Sequence, residues 1–522
     1  MTVGLLAALL LAAVPDPHLI DALVGDDAAA REQAISAAAA QGDAAAAPVL
    51  RALLEGRLYS GPGGAALIEE GDRFRDARTG AAAAVRDDDL DKVAINNHLR
   101  RTLMRALAVL AVADPDPARR LAAARAVQDA GDAAALPAIE RALSRETDGN
   151  VREALADAQA ALALASPDPA QRLGAVERLR RSPGAASKRQ LLQRLSAEHD
   201  PRVLAALKGA VDSVEASLRR AEMVGLVFSG LSLGSILLLA ALGLTIIFGL
   251  MGVINMAHGE LLMVGAYATW LVQGAFRRAA PGALDWYLVA AVPISFLAAA
   301  LVGVALEMAV VRKLYGRPLE TLLATWGASL LLMQAVRSAF GAQNVEVANP
   351  SWLSGGFSPL PGLVVPWNRV GILLFAAAVL LLVWVLLTRT RLGLLVRAVT
   401  QDRQRAAGLG VPTPRVDLLA FALGAGIAGL GGCALSQIGN VGPDLGQSFI
   451  VDSFMVVVLG GVGQLAGTVI AASGLGVVNK LLEPSAGTVL AKIAVLAFVI
   501  LFIQRRPQGL FALRGRAAAE ER

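Results

Sequence analysis

The sequence predicts an all-α protein in two parts: an extracytoplasmic, HEAT-like helical domain over residues 20–215, then a polytopic α-helical membrane domain of about 8–9 passes over residues 224–505. Three observations predict it. Charge density drops sharply near Glu222, apolar runs of membrane-spanning length follow that point, and the first part repeats a proline-started helical pattern.

The chain has 522 residues, 55% of them apolar and 17% charged, an average that fits neither a soluble protein nor a wholly membrane-embedded one. Residues 1–222 carry 28 Lys/Arg and 31 Asp/Glu, a soluble-domain density, whereas residues 223–522 carry 20 and 12. The basic pI of 9.6 arises in the membrane half, where Arg sets orientation, so it does not argue for nucleic acid. One cysteine, Cys433, excludes an intrachain disulfide framework, and four scattered histidines make a metal site improbable.

Residues 3–14 form an apolar stretch too short to span a bilayer but suited to the core of an export signal, so residues 1–14 are read as a signal peptide. In the domain that follows, Gln41-Gly-Asp-Ala-Ala-Ala-Ala-Pro-Val-Leu-Arg-Ala-Leu-Leu54 recurs as Ala130-Gly-Asp-Ala-Ala-Ala-Leu-Pro-Ala-Ile-Glu-Arg-Ala-Leu143. Asp114-Pro-Asp-Pro-Ala-Arg-Arg-Leu121 recurs in the same way as Ser166-Pro-Asp-Pro-Ala-Gln-Arg-Leu173, which suggests stacked helix pairs. Residues 59–97, with Gly61-Pro-Gly-Gly64 and Asp87-Asp-Asp89, break the pattern and are read as a solvated loop or small hairpin.

Apolar segments then run over 224–250, 261–276, 284–310, 319–340, 371–388, 416–438, 449–463, 465–482 and 488–503. Arg and Lys accumulate on cytoplasmic loops. Taking residues 388–415 and the tail from Arg505 as cytoplasmic, which also places Arg312, Lys313 and Arg317 inside, puts fourteen basic residues inside and six outside, the six including Lys480 and Lys492. The parity of segments then exports the N-terminal domain, and it requires 449–482 to make two passes or a re-entrant hairpin, with a break in Gly460-Gly-Val-Gly463.

No phosphate-binding Gly-x-x-x-x-Gly-Lys-Ser/Thr motif is present, so an ATP-driven process would need its ATPase on another chain. Gly230-Leu-Ser-Leu-Gly234 matches a hydrolase nucleophile elbow in letters alone; close helix packing through small residues explains it better. An intramembrane serine protease, with Ser232 or Ser329 as nucleophile and His258 as base, is the remote enzyme alternative. A passive channel, a secondary carrier, or a binding scaffold anchored by the membrane part are further classes.

Polar residues inside apolar runs mark a solute path or gate: Ser232, Asn255, His258, Glu260 and Thr325, with Asp452, Ser453 and Asn479 weaker candidates. Asn255, His258 and Glu260 fit the capping of a half-helix equally well. Thr325 and Gln334 fit plain hydrogen bonds between helices, and Glu307 should pair with neighbouring Arg or Lys. The basic stretch from Arg397 through Gln401, Asp402, Arg405, Ala406, Ala407 and Gly408 to Gly410 has the form of a short helix projecting as a knob, with Gly408 letting it end and turn.

As an ordered set, Gly230-Leu-Ser-Leu-Gly-Ser235, Ala241-Leu-Gly-Leu-Thr245, Ile254-Asn-Met-Ala-His-Gly-Glu260, the loop from Thr400 to Gly410, Val456-Val-Val-Leu-Gly-Gly461 and Arg506-Pro-Gln-Gly-Leu510 resemble the LIV-H-type permeases of branched-chain amino acid ABC importers. The long N-terminal extension, Leu90-Asp-Lys-Val-Ala-Ile-Asn-Asn97, Asn479-Lys-Leu-Leu-Glu-Pro484 and Phe502-Ile-Gln-Arg-Arg-Pro507 resemble the urea ABC transporter branch of that family. The resemblance implies a permease without cofactor in a bacterial inner membrane, and a LIV-M-like permease partner. It also implies two ABC ATPases, an extracytoplasmic solute-binding protein, and ATPase contact through the loop around Gln401 to Gly408. Urea is the solute it implies, with a branched-chain amino acid or short amide as the alternative.

Overall fold

The computed structural model describes residues 16–511 apart from residues 26, 44, 72, 84 and 86–89. The expected signal segment 1–14, the acidic run Asp87–Asp89 and most of the tail 506–522 lie outside the described residues. The chain divides into two units, Met1–Arg220 and Ala221–Arg522.

The first unit contains α1 (Pro17–Val24), α2 (Ala28–Gln41), α3 (Ala46–Leu54), α4 (Asn97–Ala111), α5 (Pro117–Ala130), α6 (Leu136–Arg145), α7 (Gly149–Ala163), α8 (Pro169–Arg181), α9 (Ala185–Leu195) and the start of α10 (Pro201–Met251). Caps set their starts. Asp27, Asp116 and Asp168 each accept a backbone N–H in the first turn of α2, α5 and α8. Asn96, Asp148 and Asp200 do the same for α4, α7 and α10, and they stand 52 residues apart. The repeat is therefore three helices long, not a pair.

A buried staple repeats with it. Arg120 donates from Nε and Nη2 to Glu146 at 2.7 and 3.0 Å, and Arg172 donates likewise to Glu198 at 2.8 and 3.0 Å. Each glutamate also accepts two backbone N–H groups in the turn ahead of the next helix, from Thr147 and Asp148 or from His199 and Asp200. In the first repeat Ala94 stands where those glutamates stand. Arg31 there donates to the Ala94 carbonyl, and its Nε has no partner.

The expectation of an all-α chain needs correcting. Between α3 and α4 lies a five-stranded antiparallel sheet of β1 (Leu58–Gly61), β2 (Ala65–Glu70), β3 (Arg73–Asp76), β4 (Ala82–Ala83) and β5 (Asp91–Lys92), ordered β4-β3-β2-β1-β5. Gly64, Gly71 and Gly80, all at positive φ, serve the turns that join β1 to β4. Leu58, Ala66 and Leu67 are buried there.

The second unit holds the rest of α10, then α11 (His258–Ala279), α12 (Tyr287–Ala309), α13 (Pro318–Phe340), the hairpin β6 (Gly356–Leu360) and β7 (Leu363–Pro366), α14 (Trp367–Arg389), α15 (Arg391–Gln401), α16 (Arg403–Gly408), α17 (Thr413–Leu435), α18 (Leu445–Gly460) and α19 (Leu465–Arg505). Among the described residues six helices are long and apolar enough to cross a bilayer: α10, α12 with its flanking turns, α13, α14, α17 and α19. The more polar α11 and the 16-residue α18 pack among them.

α19 is two limbs. Gly487 breaks the helix with φ +78°, and both ends of α19 return to one turn: Gly467 lies against Gly460, and Gly509, just past the other end, lies against Gly461. A straight helix of 41 residues would hold those ends about 60 Å apart, so the limbs 465–486 and 488–505 run out and back. The expected break in Gly460-Gly-Val-Gly463 is present, with Gly461 at φ +98° and Gly463 at +74°.

Contacts sort the loops of this unit onto two faces. Gly249 at the end of α10 meets Gly463, and Arg403 before α17 reaches Tyr315 between α12 and α13, so the turns after α10, α12, α14 and α18 share one face. On the other face Tyr287 and Gln273 donate to the Ala348 carbonyl, Asn368 donates to the Gln437 carbonyl, and Val345 pairs with Val441. The first face carries the Arg-rich loops. Lys480 and Lys492, counted with the outer basic residues, lie within the limbs of α19.

Candidate functional site

The segment Asn255 to Glu260 re-enters the helix packing. After α10 ends at Met251, Gly252 turns the chain at φ +63°, and His258 then donates from Nε2 to the Ala240 carbonyl at 3.0 Å. Ala240 stands nine residues before Gly249, about 14 Å along the helix from the basic face. That is half the thickness of a hydrocarbon core. The polar segment therefore sits at mid-depth and starts α11 there.

Close glycine contacts hold it. A Cβ on Gly243 would meet His258 at 2.9 Å, and a Cβ on Gly259 would strike the Gly446 backbone at the start of α18. α18 thus also begins inside the packing and descends to the basic face at Gly460, about 24 Å away, short of a full crossing. Mid-depth chain of this kind is tolerated where it lines protein or a cavity.

Asn255, His258 and Glu260 are each about 1% exposed or less. The Asn255 side chain accepts the Ala257 N–H at 3.1 Å, and Ser329 on α13 donates to Glu260 at 2.9 Å. Thr325, one turn earlier on α13, accepts the Met256 N–H at 3.2 Å. Among the described residues three buried atoms here have no partner: Asn255 Nδ2, His258 Nδ1 and Glu260 Oε2. An amide N–H donor on Asn255, an imidazole nitrogen that accepts because the other ring nitrogen donates to Ala240, and a carboxyl oxygen of Glu260, gathered at mid-depth, suit a small solute that both donates and accepts hydrogen bonds. Ser329 is the residue sequence reasoning assigned elsewhere; only its position across from Glu260 marks it.

The other expected path residues separate. Ser232 lies eight residues before Ala240, about 12 Å further along α10. It sits between Gly230 and Gly234, whose Cβ atoms would approach Val477 and Ala472 of α19 to 2.5 and 2.7 Å. That contact is helix packing through small residues. Neither Ser232 nor Ser329 bonds to His258 among the described residues, so no serine–histidine pair forms. Ser453 is buried and donates to the Phe449 carbonyl of its own helix. Asp452 is partly open and pairs with Lys492 at 3.3 Å. Glu307 pairs with Arg312 at 2.9 Å, as expected, and Gln334 is exposed.

On the basic face the knob forms from two short helices. Arg397 in α15 donates to the Leu387 carbonyl, and Asp402 caps α16 by accepting the Arg405 N–H at 2.9 Å. Ala406 is buried against the unit, while Gln401, Arg405, Ala407, Gly408 and Gly410 are exposed. Leu409 is 86% exposed at the tip, a large apolar side chain left in the open. Gly408 does not make the turn, as its φ is ordinary and a Cβ there meets open space; Gly410 makes it, at φ +86°. Arg403, which the motif reading passed over, joins the knob to α17 through Asp417.

A multi-pass helical membrane unit with two helices that begin inside the packing and a projecting knob on its basic face has the build of a transport permease. The family model described as "Branched-chain amino acid transport system / permease component" matches residues 226–504. The high-affinity branched-chain amino acid transport system permease protein LivH of Salmonella typhimurium is 30% identical over 304 residues, covering 56% of this chain and 96% of that protein. BraD of Pseudomonas aeruginosa, a permease protein of the same kind of system, is 28% identical over 299 residues, with the same coverage. LivM of Escherichia coli is 28% identical over 306 residues, 54% of this chain and 69% of that protein. No solved structure matches. The chain belongs to the family of branched-chain amino acid transport permease components.

Proposed function

We propose that this chain is one of two permease subunits of an ABC importer in a bacterial inner membrane. It receives a small polar solute from an extracytoplasmic binding protein and passes it to the cytoplasm, driven by two ATPases on separate chains. The observation that carries this reading is the near end-to-end match to LivH together with the knob of α15 and α16 on the Arg-rich face. That face is the cytoplasmic one by its excess of Arg. The parity of passes then puts the N-terminal unit outside and the C-terminus inside. A LivM-like chain is the second permease, in keeping with the likeness to LivM.

For the solute, the names of the relatives favour a branched-chain amino acid. Urea is the second reading, favoured by the resemblance of residues 90–97, 479–484 and 502–507 to the urea branch. The N-terminal unit favours it too, since the LivH match leaves much of the chain uncovered. Both solutes present a hydrogen-bond acceptor beside N–H donors, which the free atoms of Asn255 and Glu260 match. Uptake of labelled leucine and labelled urea, in a host lacking its own systems and supplied with the partner genes, decides between them. Uptake of either that persists with inactive ATPases would refute the importer.

A further inference from the structure

We infer that the ion pair Asp452–Lys492 and the polar face of α18 beside it form a solute subsite inside the conduit. The subsite takes a compact group carrying a hydrogen-bond acceptor next to an N–H donor, the head of an α-amino acid or an amide. The inference rests on the importer reading above and deepens it.

Asp444, Gln447, Ser448 and Asp452 recur at three- and four-residue steps and share one face of α18. Asp444, Gln447 and Ser448 are exposed, and Asp452 is partly so. Counting back from Gly460 at the basic face, Asp452 lies about 12 Å and Ser448 about 18 Å into the packing. Both depths fall in the middle of a hydrocarbon core. Elsewhere this unit shows its surroundings apolar side chains, such as Leu301, 69% exposed, and Leu374, 68% exposed. Lipid does not tolerate an open charged pair and a row of amide and hydroxyl groups at that depth, so this face borders water. A second permease subunit laid across it closes the passage.

The pair itself is loose. Lys492 Nζ stands 3.3 Å from Asp452 Oδ2, beyond the usual reach of a charge-assisted hydrogen bond, and the Lys492 side chain is 49% exposed. A passing solute can part it: the ammonium donates to a carboxylate or carbonyl oxygen, and the carboxylate accepts from the solute's N–H groups. The two charges cancel, so the subsite orients a dipolar group without trapping an ion. Asp452 and Lys492 come from different helices, and Lys492 counted only as an outer cation in sequence.

Cys433, the chain's single cysteine, is buried, so introduced cysteines report cleanly. In the assembled transporter, Gln447→Cys and Ser448→Cys should react with a charged, membrane-impermeant methanethiosulfonate at least about tenfold faster than Leu301→Cys and Leu374→Cys. Protection by leucine identifies an amino acid head, and protection by urea an amide. Position 448 as unreactive as the apolar controls, with and without ATP, overturns the conduit face. Asp452→Asn and Lys492→Gln should each cut uptake at least about tenfold while ATP hydrolysis continues. The double variant Asp452→Lys with Lys492→Asp rebuilds the pair with reversed polarity and should stay inactive; full uptake there would make the pair structural and overturn the subsite. A wild-type complex that moves neither leucine nor urea would end the solute reading above, while the thiol pattern would still judge the face.

Discussion

Arg403 clamps the carboxylate of Asp417 with both terminal nitrogens, at 3.1 and 2.5 Å, and its guanidinium carbon lies 4.1 Å from the centre of the Tyr315 ring. One side chain thereby ties the knob to the start of α17 and to the turn between α12 and α13. If an ATPase docks on the knob, as proposed, the motion it imposes would have a rigid route into two membrane helices.

Breaking that clamp should uncouple the machine. Asp417 is almost fully buried, 3% exposed at its side chain, so Arg403→Met strands a carboxylate. Uptake should fall about tenfold or more, since a change above ~1.4 kcal/mol suffices, while the complex still assembles and hydrolyses ATP. Arg403→Lys keeps the charge but loses the fork and the ring contact, and should recover only part. Unchanged uptake per ATP hydrolysed in Arg403→Met would remove the clamp from the coupling route.

The knob's own turn gives a second, separable expectation. Gly410 sits at φ +86°, where a β-branched side chain is strained by about 1–2 kcal/mol. Gly410→Val should distort the exit from α16 and weaken ATPase retention on purified complex. Gly408→Val meets open space and should leave the loop folded. Leu409→Asp should release the ATPases while leaving the permease inserted, because the exposed leucine is the apolar tip that a cleft would cover. Co-purification of the ATPases with each variant checks all three; retention by Leu409→Asp equal to wild type would place the docking contact elsewhere.

Much of this was legible in the sequence and some was not, for physical reasons. The five-residue step from Glu307 to Arg312 and the small-residue rows at Gly230 and Gly234 are local, so spacing reveals them. Gly461 and Gly463 announce the break before α19 by residue type alone. The roles of Gly408 and Gly410 depend on φ, which two glycines in one loop leave open. Gly61-Pro-Gly-Gly64 reads as a loop because the strands around it are short, and only pairing of Leu58 with Ile68 makes them a sheet. The contact of Ser329 with Glu260, 69 residues apart, and that of Lys492 with Asp452 are tertiary. Periodicity cannot announce them.

The Gly-x-Ser-x-Gly letters at the start of the membrane unit yield a third test. If the motif is a packing row, Gly230→Val should abolish stable insertion. The new side chain would press on the Val477 backbone, at 2.5 Å already for its Cβ. Ser232→Ala removes a buried hydroxyl without a partner and should cost nothing measurable in protein level. Membrane levels by immunoblot separate the two. A Gly230→Val protein at normal level would refute the packing row.

The helical repeat of the N-terminal unit makes its stability depend on pH. Arg120 holds the Glu146 carboxyl down to about 2, helped by the N–H groups of Asp148 and Thr147. The N–H of Asp200, then Arg172, does the same for Glu198, also to about 2. Both folded values lie below the ordinary carboxylate value, so the stabilisation is fully present above about pH 4.5 and drains away as pH falls toward 2. The first repeat lacks this device because Ala94 replaces the glutamate, leaving Arg31 Nε unpaired. Ala94→Glu should install it. Position 94 is more open than 146 or 198, so the gain should be modest, about 0.5–1 kcal/mol, and it should vanish below pH 3. Hydrogen exchange of the α2 and α4 amides at pH 7 and pH 3 reads the change directly. Equal protection in wild type and variant at pH 7 would mean that Arg31 cannot reach the new carboxylate and that the staple requires the burial seen only in the later repeats.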